Sequence, residues 1–319
     1  MLRTYPVDTQ LPAKQGAPPI WIDLFEPTDE ERARVEQTTG FKVPSRDHLS
    51  EVESSSRVNA VDDILYLSMP LLAHVEQGED FPTPLGFILS AETLVTIRYT
   101  QLRPLDTVVN NLKKEGATCR RSTEVFTRLI EAMIDAAADI LERLNADLAG
   151  ISKSVFRRVP AGGRSARANL RMRSTLVNVG EAGERLSQIR ETLLGLQRIV
   201  IFTSERATEW TPADIKRRVK TAREDIVSLS DYELQLYGKV QFLLDAVLGF
   251  INTEQNDIFR VLTVVSVVGI PPTLIASMYG MNFKNMPELS WEYGYQWGLG
   301  LIALSVIAPI VWFKRRGWW

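Results

Sequence analysis

Two stretches toward the C-terminal end carry no charged residue: Val261 to Tyr279 (VLTVVSVVGIPPTLIASMY) and Tyr295 to Phe313 (YQWGLGLIALSVIAPIVWF). A bilayer core of roughly 30 Å asks for about 20 apolar residues per helix, and each stretch just suffices. The fifteen residues between them, 280–294, are too few for a domain. The pattern predicts a hairpin of two transmembrane helices, 261–279 and 295–313, with a short connecting loop and a basic tail over 314–319.

Upstream the texture changes twice. Ile20 to Phe25 alternates and is rich in β-formers, which predicts a strand ended by Pro27. Thr28-Asp29-Glu30-Glu31 is a capping-box pattern, opening a helix that stops at Gly40. Ile64 to Leu72, Leu85 to Leu89 and Thr93 to Tyr99 read as further strands. Together these predict a small α+β domain over residues 1–118. From Ser122 the apolar positions Val125, Leu129, Met133, Ala136, Ile140 and Leu144 recur at spacings of three and four, predicting a helix to about Phe156. Pro160-Ala161-Gly162-Gly163 breaks it, and a second helix follows from about Ser165 to Ile201, giving a helical hairpin over 119–210.

A third helix starts at Trp210-Thr211-Pro212-Ala213-Asp214. Thr211 can cap it, Pro212 suits the first helical position, and Asp214 complements the positive dipole end. No proline follows until Pro271. A helix from Thr211 to Met278 would be roughly 100 Å long at 1.5 Å per residue, a stalk over 211–260 running on into the first span. Ile215, Val219, Ala222, Ile226, Leu229, Leu236, Val240, Leu243, Val247 and Phe250 keep a three-four rhythm, interrupted at Glu233. Such a seam asks for neighbouring helices, and a stalk of this length calls for an oligomer.

Composition narrows the function. The net charge of −2 excludes a general affinity for nucleic acid or anionic surfaces. Arg157, Arg158, Arg164, Arg167, Arg171 and Arg173 cluster at the helical hairpin, but without interleaved aromatics they read as a solvated tip. The single cysteine, Cys119, suits a reducing compartment. The opening Met1-Leu2-Arg3-Thr4-Tyr5-Pro6 has no apolar core and does not read as a signal peptide, so the long N-terminal portion is expected in the cytoplasm. Lys314-Arg315-Arg316 directly after the second span agree with that by the positive-inside rule. Trp291, Trp297, Trp312, Trp318 and Trp319 gather near the ends of that span, as interfacial anchors do. The expected topology is an inner (plasma) membrane protein with both termini cytoplasmic and the loop outside. The only histidines, His48 and His74, have no cysteine partners and read as structural rather than metal-binding. No paired-carboxylate site, phosphate loop or nucleophile elbow is present, so no enzymatic activity is expected.

The first span carries more chemistry. Asn252, Asn256, Phe259, Thr263, Ser266, Ile270, Thr273 and Ser277 fall at spacings of 4, 3, 4, 3, 4, 3 and 4. One stripe is thus mostly amide or hydroxyl, while Val264, Val265, Val268 and Leu274 lie opposite. Polar side chains at membrane depth turn toward protein or water. Two readings follow: the hydroxyls bond to backbone or glue helices together, or several first spans surround an axis and the stripe lines a pore. Pro271-Pro272 also frees backbone carbonyls that need partners.

At these residues the chain resembles the CorA magnesium channels. The resemblance is carried by Tyr279-Gly280-Met281-Asn282-Phe283 after Pro271-Pro272-Thr273-Leu274-Ile275-Ala276-Ser277, by Met286-Pro287-Glu288-Leu289, and by the ending Phe313-Lys314-Arg315-Arg316-Gly317-Trp318. It extends through Gly249 to Asn256 and, more weakly, to Trp21-Ile22-Asp23-Leu24. It implies a funnel-shaped homopentamer in the bilayer, with a selectivity ring at Gly280, Met281 and Asn282. By position, Asn256, Phe259, Leu262, Ile270, Thr273 and Ser277 correspond to the family's pore-facing residues, where the spacing alone selects Thr263 in place of Leu262. Phe259 and Leu262 are expected to form an apolar constriction.

The motif suits magnesium, which gives up water reluctantly and prefers octahedral oxygen geometry. Neutral Asn282 carbonyl oxygens can accept hydrogen bonds from the hydrated ion without stripping it. One departure stands out: Lys284 occupies a position that is commonly acidic in the family, leaving Glu288 as the nearby loop acid. The resemblance also implies negative feedback by intracellular Mg2+ bound between protomers, and Asp225, Asp231 and Asp245 are the candidate stalk carboxylates. The expectation is a passive, potential-driven magnesium channel gated by cytoplasmic magnesium. Its alternatives are transport of Co2+, Ni2+ or Zn2+ on the same fold, or a membrane-anchored cation sensor that does not conduct.

Overall fold

A computed structural model of the chain describes residues 1–5, 19–51, 57–73, 81–115, 121–156, 165–281 and 286–318. Six strands, β1 (Leu2–Tyr5), β2 (Trp21–Phe25), β3 (Val58–Val61), β4 (Ile64–Ala73), β5 (Phe81–Leu89) and β6 (Leu94–Arg98), form one sheet in the order β1-β2-β6-β5-β4-β3. Only the central β2–β6 pair is parallel; the other neighbours are antiparallel. The predicted strands correspond to β2, β4, β5 and β6. β1 and β3, four residues each, escaped the alternation test because so short a strand carries barely one period of it.

The sheet buries both faces. One side packs Ile22, Leu24, Ile88, Val95 and Ile97 against Val35 of α1 (Asp29–Thr39) and Leu49 of the short α2 (Arg46–Leu49). The capping box predicted for α1 is present: Thr28 Oγ1 accepts from the Glu31 N–H, and Glu31 accepts from the Thr28 N–H. Gly40 ends the helix at φ +73°, a left-handed value that glycine adopts without a Cβ penalty.

The other face carries Trp21, Leu65, Met69, Leu85, Phe87 and Leu94, covered by helices. These are α3 (Arg103–Glu115), α4 (Ser122–Phe156), α5 (Ser165–Arg206) and α6 (Ala213–Tyr279). Val125, Leu129 and Met133 of α4, Leu196 and Ile199 of α5, and Ala222 and Ile226 of α6 belong to the same core as the strands. The change of texture near residue 118 therefore does not divide the core. A second cluster joins Leu141, Leu144 and Leu148 of α4 to Leu186 and Ile189 of α5 and to Leu236, Val240 and Leu243 of α6. The seam predicted on the third helix is thus packed against its two predecessors as far as Leu243, whereas Phe250, its last member, is 42% exposed. α5 runs to Arg206 rather than Ile201, and Phe202 beyond that point still packs against the same core.

Two compact units result: Met1–Arg164 with Arg173–Leu244, and Ser165–Met172 with Asp245–Trp319. α6 contributes residues to both. The second unit also holds α7 (Gly294–Arg315); among the described residues, α6 and α7 are the two helices long and apolar enough to cross a membrane.

Inside the first unit lies a buried polar chain. Trp21 Nε1 donates to Thr96 Oγ1 (3.0 Å), which donates to Asp23 Oδ1 (2.8 Å), and Arg98 Nη2 donates to Asp23 Oδ2 (2.9 Å). Asp23 is 0% exposed and Arg98 is 2% exposed. The alternation of β2 and β6 places all four on one face across the parallel pair. Removing one partner strands a desolvated charge, so Asp23→Ala is expected to cost about 3–5 kcal/mol, read as a fall in Tm of the purified protein.

Glu233 explains its own interruption of the α6 seam. It is 3% exposed, and burial pushes its carboxyl up, an effect opposed by the Arg190 guanidinium of α5. The folded chain therefore holds this proton to higher pH than the unfolded chain, and stability falls as pH rises through the raised value. Glu233→Gln removes that loss, so its Tm gain over the native chain should be larger at pH 8 than at pH 4.

Candidate functional site

The candidate site is the part of α6 beyond Asp245 together with the turn that follows it. Along this stretch Val264, Val268, Pro271, Ile275 and Tyr279 are half-buried, at spacings of 4, 3, 4 and 4. Asn256, Thr263, Thr273 and Ser277 are exposed, as are Phe259 (64%), Leu262 (60%) and Ile270 (63%). Ser266 lies at the border, half-buried. The amide-and-hydroxyl stripe is therefore largely uncovered in the single chain, and so are Val265 (64%) and Leu274 (59%), which the sequence places opposite it. Leu262 and Thr263, selected by resemblance and by spacing respectively, are both exposed.

The hydroxyls are locally satisfied. Thr263 Oγ1 donates to the Phe259 carbonyl at 2.7 Å, and Thr273 Oγ1 donates to the Gly269 carbonyl at 2.8 Å. This is back-bonding one turn up the helix, one of the two sequence readings, and it settles what the protons do. It leaves each oxygen's lone pairs facing outward as acceptors. Pro271 and Pro272 lie within α6. Each lacks an N–H, so the carbonyls four residues earlier, on Val267 and Val268, lose a helical donor there.

At the helix end Gly280 N–H bonds the Ala276 carbonyl at 3.0 Å, and Met281 N–H bonds the Met278 carbonyl at 3.3 Å. Positive φ does not explain this glycine, since among glycines only Gly40 and Gly317 adopt it in the described residues. A Cβ at Gly280 would sit 3.3 Å from the Ala276 carbonyl oxygen, a tight contact that a shift of a few tenths of an ångström relieves. Asn282 and Lys284 lie outside the described residues. Glu288 falls in a 3₁₀ turn, Pro287–Ser290. After it, Trp291 meets Trp297 at 6.3 Å and Tyr293 at 6.4 Å, an aromatic group at the start of α7.

The stalk carboxylates Asp225, Asp231 and Asp245 are all exposed on α6. No three acidic, histidine or cysteine groups among the described residues lie close enough to hold a metal. Asp225 does have an acidic neighbourhood that the sequence reading missed. Asp135 of α4 has its carboxyl pushed up by burial and by Asp139, Glu131 and Asp225. Glu131, Asp135 and Asp139 line a groove of about 870 Å³, where Glu131 is bound by Arg218 through Nε at 2.9 Å. Their i, i+4, i+8 spacing was the available signal. His48 pairs with Glu51 at 2.9 Å, while His74, Cys119, Arg157, Arg158 and Arg164 lie outside the described residues.

A family profile described as "CorA-like Mg2+ transporter protein" matches residues 17–315. The magnesium transport protein CorA of Escherichia coli (strain K12) is 32% identical over 315 residues, covering 97% of this chain and 96% of that protein. Among solved structures, the complete CorA magnesium transporter from Methanocaldococcus jannaschii superposes with a TM-score of 0.75 at 18% identity, covering 94% of this chain and 91% of that one. The ZntB cytoplasmic domain from Vibrio parahaemolyticus RIMD 2210633 gives 0.57 at 16% identity, covering 73% and 88%. These structural likenesses establish the fold.

A methyl group at Gly280 would shift the last turn of α6 by a few tenths of an ångström, just before Met281 and Asn282. Gly280→Ala is expected to lower ion uptake about tenfold, the equivalent of about 1.4 kcal/mol, while leaving Tm unchanged.

Proposed function

Since the chain belongs to the CorA-like Mg2+ transporter family, we propose that it is a passive magnesium channel, a homopentamer whose pore is lined by the uncovered face of α6. The observation that carries this reading is that face: outward oxygen acceptors at Asn256, Thr263, Thr273 and Ser277, with apolar Phe259, Leu262 and Ile270 between them. A single copy cannot enclose a path with two spans. Around a five-fold axis the same face becomes a lumen whose neutral oxygens receive the hydration shell of the ion, while Phe259 and Leu262 narrow it.

Gly280, Met281 and Asn282 form the outer selectivity ring in this reading, and Glu288 is the loop acid. The membrane is the bacterial inner membrane, with both termini in the cytoplasm and the 280–294 loop outside. A doubly charged ion then gains about 5 kcal/mol per 100 mV of inside-negative potential, twice the single-charge figure. That is enough to drive uptake without a nucleotide. Closure follows from Mg2+ captured between protomers by stalk carboxylates, with Asp225, Asp231 and Asp245 as candidates. The exposure of all three on α6 favours a site completed by a neighbour.

A second reading keeps the architecture and changes the ion to Co2+, Ni2+ or Zn2+. It is favoured by Lys284, which departs from the acidic residue common at that position, and by the likeness to the ZntB cytoplasmic fold. A membrane-anchored sensor has less support, because an anchor has no use for an oxygen-lined face.

Influx into proteoliposomes under an inside-negative potential separates these readings. Native protein is expected to pass magnesium and Asn282→Ala to lose that flux. Flux surviving in the variant moves selection inward, toward Asn256 or Thr273. Passage of cobalt, nickel or zinc in place of magnesium selects the second reading, and no divalent flux at all leaves the sensor.

A further inference from the structure

The end of the second unit away from Gly280 has a different chemistry. Arg260 stands just before the apolar stretch of α6, and Lys314, Arg315 and Arg316 follow the apolar stretch of α7. Gly317 adopts φ +71°, the left-handed conformation that ends a helix. Trp318 N–H returns to the Phe313 carbonyl at 3.1 Å, and Gly317 N–H to that of Lys314 at 3.2 Å. The chain thus folds back, and Trp318 stacks on Phe313 at 5.3 Å. Phe313 meets Trp312 edge-on at 5.0 Å. Arg316 lies 5.2 Å from the Trp312 ring, and Arg260 lies 5.6 Å from the Trp318 ring. The result is a continuous ladder: Arg260, Trp318, Phe313, Trp312, Arg316.

A guanidinium resting a face on an aromatic ring keeps its in-plane N–H donors for another group. Acids to use them are scarce. Asp257 is 3.8 Å from Arg260, and Lys314, Arg315 and Arg316 have no carboxylate partner among the described residues. The near-neutral charge of the whole chain conceals this local excess. The ladder also lies where apolar span gives way to polar chain, the depth at which phospholipid phosphates reside, and tryptophan favours the same depth. A phosphodiester supplies paired oxygens for a guanidinium fork, and its acyl chains run alongside the span.

We propose that this ladder is a binding site for an anionic phospholipid headgroup, held jointly by the ends of α6 and α7. The proposal rests on the membrane reading of those helices. Arg260 directly follows Phe259, so the site joins lipid charge to the helix that carries the candidate pore face.

Melting the purified full-length protein in neutral detergent tests binding without requiring transport. Short-chain phosphatidylglycerol is expected to raise Tm, and short-chain phosphatidylcholine and inorganic phosphate are not. Arg260→Gln and Arg316→Gln should each weaken the phosphatidylglycerol response about fivefold. Trp318→Ala, which keeps every charge but removes the platform, should weaken it as well. Equal stabilisation by phosphatidylcholine or by inorganic phosphate overturns the assignment to an anionic lipid. A full response in Arg260→Gln/Arg316→Gln, or in Trp318→Ala, overturns the ladder. In proteoliposomes the native flux should rise when phosphatidylglycerol is added to phosphatidylcholine, and the double variant's flux should rise less. An equal rise in both reports only the surface potential of the vesicle and counts against the site. A protein that passes no ion yet still melts higher with phosphatidylglycerol would leave the lipid site standing and remove the channel.

Discussion

Everything in this chain depends on α6 remaining one helix. Its first half is held by packing: Ala222, Ile226, Leu236, Val240 and Leu243 enter cores built with the sheet, α4 and α5. Its second half has almost no apolar partner within the chain, and its largest side chains are uncovered. A helix so exposed keeps its form because, around the Pro271-Pro272 step apart, its internal backbone groups bond within it, the condition that a bilayer also imposes. The same segment thus satisfies two solvents. Where Pro271 and Pro272 break the internal bonding, the freed carbonyls become the polar groups that a pore can use.

Burial and exposure divide the polar residues into two sorts. Asp23, Thr96 and Arg98 are polar inside the first unit and are consumed by one another, so they fix the parallel strand pair and have nothing left to offer an ion. The hydroxyls of Thr263 and Thr273 spend their protons on their own helix, yet their acceptor sides stay open. A cation needs acceptors, not donors. What looks like a satisfied helix is therefore still a chemically competent surface. The cationic ladder at the other end of the unit is the complement, rich in donors and, Asp257 apart, without a carboxylate partner among the described residues.

The helical parts were legible in the sequence because long helices repeat their signal. The α6 seam shows itself over many turns, and the Thr211-Pro212 start and the Gly40 stop are local chemistry. The capping box at Thr28 needs only four residues. The sites were legible where they are linear: the stripe from Asn256 to Ser277 is a spacing along one helix. β1, β3 and the Asp135–Asp225 neighbourhood were not, since two of these are too short to show a period and the third joins residues from two helices.

The sequence by itself determined the order of elements, the two apolar spans and the face of α6 on which oxygen acceptors recur. Each of these is set by periodicity and by the cost of placing charge in hydrocarbon, which act residue by residue. Only the tertiary structure decided that the strands and all the long helices of the first unit share a core, and that the β2–β6 pair encloses a buried ion pair. It also decided that Trp318 folds back between Phe313 and Arg260. Those outcomes depend on which distant side chains meet, and no spacing along the chain encodes a distance across it.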